Sequence, residues 1–307
     1  MYINPYQDLK GGKWYKTNFH THAGTGAGTC GANPIDKVVD LYSANRFDML
    51  CISNHDLFSD TSAYTNDEIF MIPGVEYSTT PAPVAGFDEN RHMLTIGVDR
   101  ALHAYGYQEA IDRAREMGGF TIICHPNWII REWWKRESLL TLKGYMGLEV
   151  INMLIYRLQG SGLATDTWDW LLSQGRLVYG FGNDDFHIYS DAARSYNLIY
   201  CTQRSYTSMK AAVESGALCA STGLLPEYLL LEGDTIRVKA KYPVETYVDT
   251  LTYRFLTAGG KVLSVQQAQE ARYTLSGESY VRVEVQGENG AMLFFQPVYQ
   301  QGALSQA

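Results

Sequence analysis

The first predicted strand of the chain leads directly into a pair of histidines. Residues 16–22 read KTNFHTH, and the strand-like run over 16–19 is followed at once by His20 and His22. Side chains two positions apart on an extended backbone point to the same side. The two imidazoles can therefore reach one point, and this stretch is a candidate half of a metal site at the end of a strand.

Outward from this stretch, short apolar runs alternate with helical patterns as far as residue 224. This alternation is typical of βα units around a largely parallel sheet, so it predicts an α/β fold. The predicted strands, about seven with one extra at 93–98, cover residues 16–19, 49–53, 70–75, 121–124, 148–151, 177–181 and 197–201. Helical spacing of apolar residues predicts helices over 34–45, 107–117, 165–173 and 206–215.

The pattern changes from residue 225 onward to strands and turns with no convincing helix. Residues 235–241 and 280–285 alternate in polarity, and turns are predicted at Gly259-Gly260 and near Gly290. Such alternation favours an antiparallel sheet with one buried face. We therefore expect two domains, an α/β domain over 1–224 and a small all-β, sandwich-like accessory domain over 225–307.

Six of the seven histidines lie beside the ends of predicted strands. The carboxyl ends of the strands of a closed βα barrel converge on one face, so residues distant in sequence can share a pocket there. His92 opens its strand, and it joins this face only if the loop over 77–91 returns the chain to it. Imidazole with carboxylate and no thiolate suits zinc, manganese or iron.

Composition narrows the classes of partner. The chain has 307 residues, 46% of them hydrophobic, and a formal net charge of -8. An acidic balance disfavours nucleic acid as a partner, because nonspecific binding to it depends on clustered Lys and Arg. Five scattered cysteines indicate mostly buried, reduced thiols. No run approaches the roughly 20 apolar residues that span a bilayer, so we expect a cytoplasmic protein with no membrane partner and unknown oligomeric state.

Taken in order, these motifs resemble those of the polymerase and histidinol phosphatase (PHP) family of metallo-phosphoesterases, over residues 14–224. The matching pieces are His20-Thr21-His22, Ser53-Asn54-His55-Asp56, Gly74-Val75-Glu76, His92 with His125-Pro126, Asp185-Phe186-His187, and the strand over 147–152. The ordered set is far more specific than any single piece.

The resemblance implies a distorted (β/α)7, TIM-like barrel, in agreement with the strand count. It also implies two or three divalent metal ions, zinc, manganese or iron. One ion would be held by His20, His22, Glu76 and Asp185. Glu76 would bridge to a second ion, which His92 and His125 also hold.

The resemblance also implies a third ion, bound by residues like His55 and His187 together with an Asp or His shortly after the H-x-H pair. Residues 23–28 offer no such ligand, and Asn54 stands where the family usually has Asp. His103 stands apart from every motif, and we leave it out of the site.

Several polar residues near the motifs have two open interpretations. Glu149 and Asn152 would either orient metal ligands or close the floor of the barrel. Asp56 and Asp184 would either act in the site or cap turns. Gly24, Gly26 and Gly28 would form either a flexible rim of the site or a phosphate-binding loop. The rim is the favoured interpretation, because no Gly-Lys-Ser/Thr follows.

Basic and aromatic residues after the strands are candidates for substrate contact. A guanidinium matches phosphate geometry, and Arg194 is our preferred phosphate contact. The other candidates are Arg131, Lys135, Arg136 and Arg157. The aromatic stretch over 128–134 either walls the pocket or packs on the barrel.

The function predicted from the sequence is a metal-dependent phosphoesterase that hydrolyses a small phosphorylated molecule, a nucleotide or sugar phosphate, with metal-activated hydroxide. The predicted catalytic residues are Asp185, His187 and Arg194. Two alternatives stay open: a metal-dependent deacylase like the amidohydrolases, and a catalytically silent metal-binding or interaction module.

Overall fold

The computed structural model describes residues 1–24, 26, 29–78, 91–102, 106–130, 132–244 and 250–306. Most of the predicted return loop over 77–91 lies outside these residues, as do His103, Arg131 and Gly28.

The described residues contain five α-helices and 21 β-strands. The helices are α1 (Ile35–Ala44), α2 (Tyr107–Glu116), α3 (Arg136–Thr141), α4 (Thr165–Ser173) and α5 (Tyr206–Ser215). The predicted helices over 34–45, 107–117, 165–173 and 206–215 correspond to α1, α2, α4 and α5. In the described part of the chain, no helix is long and apolar enough to cross a bilayer.

The strands fall in two groups along the chain. Up to residue 224 they are β1 (Tyr2–Ile3), β2 (Lys13–Asn18), β3 (Met49–Cys51), β4 (Phe70–Ile72), β5 (Gly74–Ser78), β6 (His92–Ile96), β7 (Phe120–Ile123), β8 (Gly147–Asn152), β9 (Arg176–Leu177), β10 (Tyr179–Asn183), β11 (Tyr196–Cys201) and β12 (Leu218–Ser221). Beyond it they are β13 (Leu225–Glu232), β14 (Thr235–Lys241), β15 (Leu251–Thr257), β16 (Lys261–Ala268), β17 (Ala271–Thr274), β18 (Tyr280–Gln286), β19 (Met292–Phe295), β20 (Val298–Gln300) and β21 (Ser305–Gln306).

Two mixed sheets carry the strands that the histidines follow. One has the order β10-β8-β7-β6-β5, with β6 antiparallel to both of its neighbours. The other contains the order β12-β11-β2-β3-β4, in which β2, β3 and β4 are parallel and β11 is antiparallel to β2. The fold is therefore α/β, as predicted, with helices fewer than strands.

The predicted closed (β/α)7 barrel is not confirmed, because the ladder hydrogen bonds of the described residues form separate sheets. The predicted strand over 70–75 is split at Pro73, with β4 in one sheet and β5 in the other. Proline lacks the backbone N–H that a continuous ladder needs. Two isolated parallel bridges, Thr21 to Phe186 and His55 to Glu76, connect the sheets where the histidines lie.

Among the described residues beyond 224, every regular element is a strand apart from one 3-10 turn. The hydrogen-bonded sheet crosses this position, because β12 pairs with β19, and the N-terminal β1 pairs with β20. Strand β14 alternates in burial as predicted, but β18 is buried on both faces over 280–285. Its Arg282 points at Asp169 of α4, with Nε–Oδ1 at 2.6 Å and Nη2–Oδ2 at 2.5 Å.

Candidate metal centre

The strand ends place all eight predicted metal ligands in one cluster. His20 and His22 follow β2, and His22 N donates to Phe186 O at 2.9 Å, which brings the H-x-H pair beside Asp185 and His187. Glu76 lies in β5, and its backbone N donates to Ser53 O at 3.1 Å, which brings His55 alongside. His92 opens β6, and His125 follows β7. The cluster therefore depends on contacts between strands that are distant in sequence.

Two of the predicted ligands have backbone conformations that residues other than glycine rarely adopt. His125 has φ of 28° and Asp185 has φ of 53°, both outside the ordinary α and β regions. Such conformations are kept where surrounding contacts hold them, and they concentrate at functional sites. The unusual backbone of these two turns therefore orients the side chains of His125, after β7, and Asp185, after β10.

The carboxylate of Glu76 lies at the centre of the cluster. Its Oε2 is 3.1 Å from His20 Nε2, from His22 Nε2 and from His55 Nδ1. Its Oε1 is 3.0 Å from His92 Nδ1 and 3.5 Å from His125 Nε2. The two oxygens thus face different groups of imidazoles, which is the arrangement of a carboxylate that bridges two cations.

Asp185 provides the second carboxylate. Its Oδ1 is 3.2 Å from His20 Nε2 and 3.3 Å from His22 Nε2, and its Oδ2 is 4.0 Å from His125 Nε2. His187 Nδ1 forms a hydrogen bond with the backbone O of Asp185 at 2.9 Å. This hydrogen bond fixes the orientation of the ring and leaves Nε2 available as a ligand.

Glu149 forms hydrogen bonds to the predicted ligands on the side away from the cavity. The sequence left open whether it orients ligands or closes the floor of the barrel. It is fully buried, and its Oε1 lies 2.8 Å from His20 Nδ1. Its Oε2 accepts from His125 N at 2.8 Å and from Asn152 Nδ2 at 2.7 Å. Asn152 Nδ2 also donates to Asp185 Oδ2 at 3.2 Å. Both residues therefore orient the cluster.

The charges of the cluster hold the imidazoles of His20 and His22 protonated in the absence of a cation. Burial lowers the pKa of His20 and His22, but Asp185 and Glu76 outweigh it and raise both values well above 6.5. Burial raises the pKa of Asp185, but His20 and His22 outweigh it and hold that pKa well below its ordinary value. Burial lowers the pKa of His92, the charges of His125 and His55 lower it further, and Glu76 offsets only part of this shift.

The donor set fits divalent metal ions. Within the described residues, Nε2 of His20, Nε2 of His22 and both Glu76 oxygens have no hydrogen-bond partner, although they are buried. Buried polar atoms without partners are costly, and a cation removes that cost. Imidazole nitrogens with carboxylate oxygens are ligands that zinc, manganese and iron accept.

Cys30 is a member of the cluster that the sequence analysis did not find. Its Sγ is 3.2 Å from His187 Nε2 and 3.5 Å from His22 Nδ1, and it is the one exposed cysteine of the five. Burial raises the pKa of Cys30, but His187, His22 and His55 outweigh it and lower the value to about 4. Cys30 lies two positions beyond residues 23–28, the stretch after the H-x-H pair that offers no Asp or His.

A cavity of about 250 Å³ opens onto the cluster. Trp128, Leu154, Ile155 and Leu158 form its apolar wall, and Arg157 is the one arginine or lysine among its lining residues in the described part of the chain. The ring of Trp128 packs edge-on against His125 with centroids 4.9 Å apart. The aromatic stretch over 128–134 therefore divides between its two predicted roles. Trp128 lines the cavity, and Trp133 and Trp134 are buried in the core.

The basic candidates differ in position. Arg157 donates from Nε and Nη2 to the two oxygens of Asp191, at 2.7 and 3.0 Å. Arg194 is exposed and lies outside the residues that line the cavity. Arg136 pairs with Asp166 at 2.8 Å, and Lys135 is exposed.

The two flanking aspartates accept structural hydrogen bonds from backbone N–H groups. Asp184 is fully buried and accepts from the backbone N of Ala193, Arg194 and Ser195 at 2.7 to 2.8 Å. Asp56 accepts from the backbone N of Ser78 at 3.0 Å. Their hydrogen bonds hold the turns that carry His187 and His55.

The fold of the chain is similar to that of a protein of known structure. No protein-family model and no curated protein matches the chain. A solved structure from Bacteroides vulgatus is similar, with 17% identity, a TM-score of 0.52, and coverage of 92% of this chain and 93% of that one. It is described as a two-domain protein containing a predicted PHP-like metal-dependent phosphoesterase. At this identity the likeness establishes a shared fold, and the cluster of His, Glu and Asp identifies a candidate centre for divalent metal ions.

Proposed function

We propose that the protein is a metal-dependent hydrolase that cleaves the phosphate ester of a small phosphorylated molecule, a nucleotide or a sugar phosphate. The observation that carries the proposal is the Glu76 carboxylate, whose two oxygens face separate groups of imidazoles at 3.0 to 3.5 Å. The similarity in fold to a PHP-like protein supports it. We further propose that the two sheets act as a distorted barrel, with residues 225–307 as its accessory domain.

In this proposal the ligands divide between two positions that share Glu76. His20, His22, Glu76 and Asp185 would hold one ion, and Glu76, His92 and His125 a second. Divalent ions bound there would polarise the phosphoryl oxygens and lower the pKa of a coordinated water, which is the help that phosphate ester hydrolysis needs.

The protein's own groups would orient the ester. Arg157 lines the cavity, and Asp191 holds its guanidinium from one side, so we assign the phosphate contact to Arg157. Arg194, the contact preferred from the sequence, would meet only a substrate that extends beyond the cavity. The apolar wall formed by Trp128, Leu154 and Leu158 would exclude water from the reacting face and pack against a base or sugar ring.

His187 and Asp185 form a coupled pair in this proposal. The hydrogen bond between His187 Nδ1 and the Asp185 backbone holds the ring at the edge of the cavity, next to the reacting ester. Glu149 and Asn152 keep the histidines and Asp185 in register from behind. Loss of either set of hydrogen bonds would displace these groups, and a displacement of about 1 Å can slow a reaction by roughly 100-fold.

The test is turnover on a panel of nucleotide, sugar and aryl phosphate monoesters and diesters, with aryl amides alongside. Chelated protein is supplied with manganese, zinc or iron(II), and the His20→Ala/His22→Ala double variant is the control. The proposal expects phosphate release that requires metal and is lost in the double variant. Phosphate release without metal, amide cleavage in its place, or silence across the panel by metal-loaded protein would each contradict it.

A further inference from the structure

We propose that Cys30 is a thiolate ligand of a third divalent ion, which its sulfur would share with the imidazoles of His55 and His187. The inference rests on the proposed metal-dependent function and adds a residue type to its site. Among the other cysteines, Cys124 also has its sulfur near ligand atoms of the cluster, those of His20 and Glu76. Cys51, Cys124, Cys201 and Cys219 are all buried, whereas Cys30 lies at the open side of the cluster.

The distances are those of side chains that surround one cation. The ligand atoms of His22, Cys30, His55 and His187 all lie within 4.8 Å of one another. Sulfur at about 2.3 Å and nitrogen at about 2.0 Å from a tetrahedral zinc ion would be separated by roughly 3.3 to 3.8 Å. The separation of 3.2 Å from Cys30 Sγ to His187 Nε2 is close to this range.

Backbone contacts carry Cys30 to this place. Ala32 N donates to His187 O at 3.0 Å, and Gly24 N donates to Asn33 O at 2.7 Å. Gly31 packs against the chain just after the H-x-H pair, where an added Cβ would lie 2.5 Å from Ala23 N. Only glycine fits at that distance. The segment that bears Cys30 is therefore tied to both the H-x-H turn and the His187 turn.

His22 connects the third position to the other two. Its Nε2 faces Glu76 and Asp185 at 3.1 and 3.3 Å, so the opposite ring nitrogen, Nδ1, is the one that faces Cys30. A ligating imidazole usually donates a hydrogen bond from its other nitrogen, which orients the ring. In this arrangement His22 donates to the sulfur, and the ion is left with Cys30, His55 and His187.

A thiolate changes which metal the third position favours. Soft sulfur ligands select zinc and iron over manganese and magnesium, which prefer oxygen. Three protein ligands on a tetrahedral ion also leave one position open, which is typical of sites that bind substrate or water. The third position would therefore hold zinc or iron(II) even where manganese occupies the other two.

The experiment compares cobalt(II)-loaded wild-type protein with Cys30→Ser and Cys30→His, and with Cys201→Ser as the matched control. Cobalt bound to thiolate absorbs in the near ultraviolet by charge transfer, and bound metal is counted on the same samples by elemental analysis. We expect the band in wild type and Cys201→Ser. Cys30→Ser should lose the band and about one ion per chain, while Cys30→His should lose the band and keep the ion, since imidazole replaces thiolate as the ligand.

Two results would overturn the inference in different ways. An unchanged band and metal count in Cys30→Ser would show that the sulfur binds no ion, while the two-ion proposal would stand. Absence of bound metal from every protein, wild type included, would refute the proposed function together with this inference.

Discussion

Replacing Glu149 with glutamine should weaken metal binding although Glu149 touches no proposed metal position. Each Glu149 oxygen faces two polar groups: Oε1 faces His20 Nδ1 at 2.8 Å and Asn183 Nδ2 at 3.0 Å, and Oε2 accepts from His125 N and Asn152 Nδ2. A glutamine amide turns one of these oxygens into a donor. Whichever way it is oriented, two hydrogen bonds are lost in a site with no access to water.

The magnitude follows from those two contacts. A buried donor left without an acceptor costs about 1–3 kcal/mol, so Glu149→Gln should lower the free energy of unfolding of the metal-free protein by about 2–6 kcal/mol. Groups that orient metal ligands are typically worth 10- to 100-fold in affinity. We therefore expect metal affinity to fall by roughly 10- to 100-fold, because the orientation of His20 or His125 is no longer held.

The assay measures metal affinity by competition with a chelator and stability by urea unfolding of the chelated protein. Glu284→Gln is the matched control, since Glu284 is also largely buried but pairs with Arg282 away from the cluster. The control should lose stability and keep its metal affinity. A Glu149→Gln protein that loses stability yet binds metal like wild type would refute the orienting role.

Three further predictions concern the protons of His20 and His22, the buried ion pair of Arg282 with Asp169, and the contact of Trp128 with substrate. Because the pKa values of His20 and His22 are raised above 6.5, both rings are protonated at pH 7 in metal-free protein, and metal binding should release about two protons and weaken as pH falls; calorimetry in buffers of different ionisation enthalpy counts them. Arg282→Ala should lower the free energy of unfolding by about 3–5 kcal/mol, because Asp169 is left buried and unpaired; urea unfolding measures it. Trp128→Ala should raise KM by roughly 5- to 30-fold through loss of about 1–2 kcal/mol of packing on the substrate, as steady-state kinetics would show.

Each of these has its own contrary outcome. Metal binding at pH 7 with no buffer-dependent heat would mean that the imidazoles are already neutral. Arg272→Ala, which removes a guanidinium that is 62% exposed, is the control for Arg282 and should change stability little. A Trp128→Ala protein with full metal content and unchanged KM would remove the ring from the substrate wall.

The histidines and carboxylates of the cluster were predictable because they lie in short motifs beside strands. His20 and His22 are two positions apart, as are Asp185 and His187. An extended backbone places both side chains of such a pair on the same side. Cys30 was not predicted because the contacts that position it leave no motif in the sequence: Gly31 packs against Ala23, and Ala32 bonds to His187, 155 residues further along the chain. The sequence could identify types of ligand but not a segment that returns to the site.

The sheets were harder to predict for the same reason. Pro73 interrupts a run that looks like one strand, and the two halves join different sheets. The burial of both faces of β18 depends on the pairing of Arg282 with Asp169, 113 residues away. Strand patterns show which face is apolar, but the partner that covers the other face is chosen by long-range packing.

The most direct test of the central claim is anomalous X-ray scattering from crystals of the metal-loaded protein, recorded at the absorption edge of the metal. The account predicts one peak on each side of the Glu76 carboxylate, separated by roughly 3.5 to 4 Å, with the proposed third ion near Cys30 as a separate peak. A single peak that Glu76 does not contact, or no peak within the cluster, would contradict it.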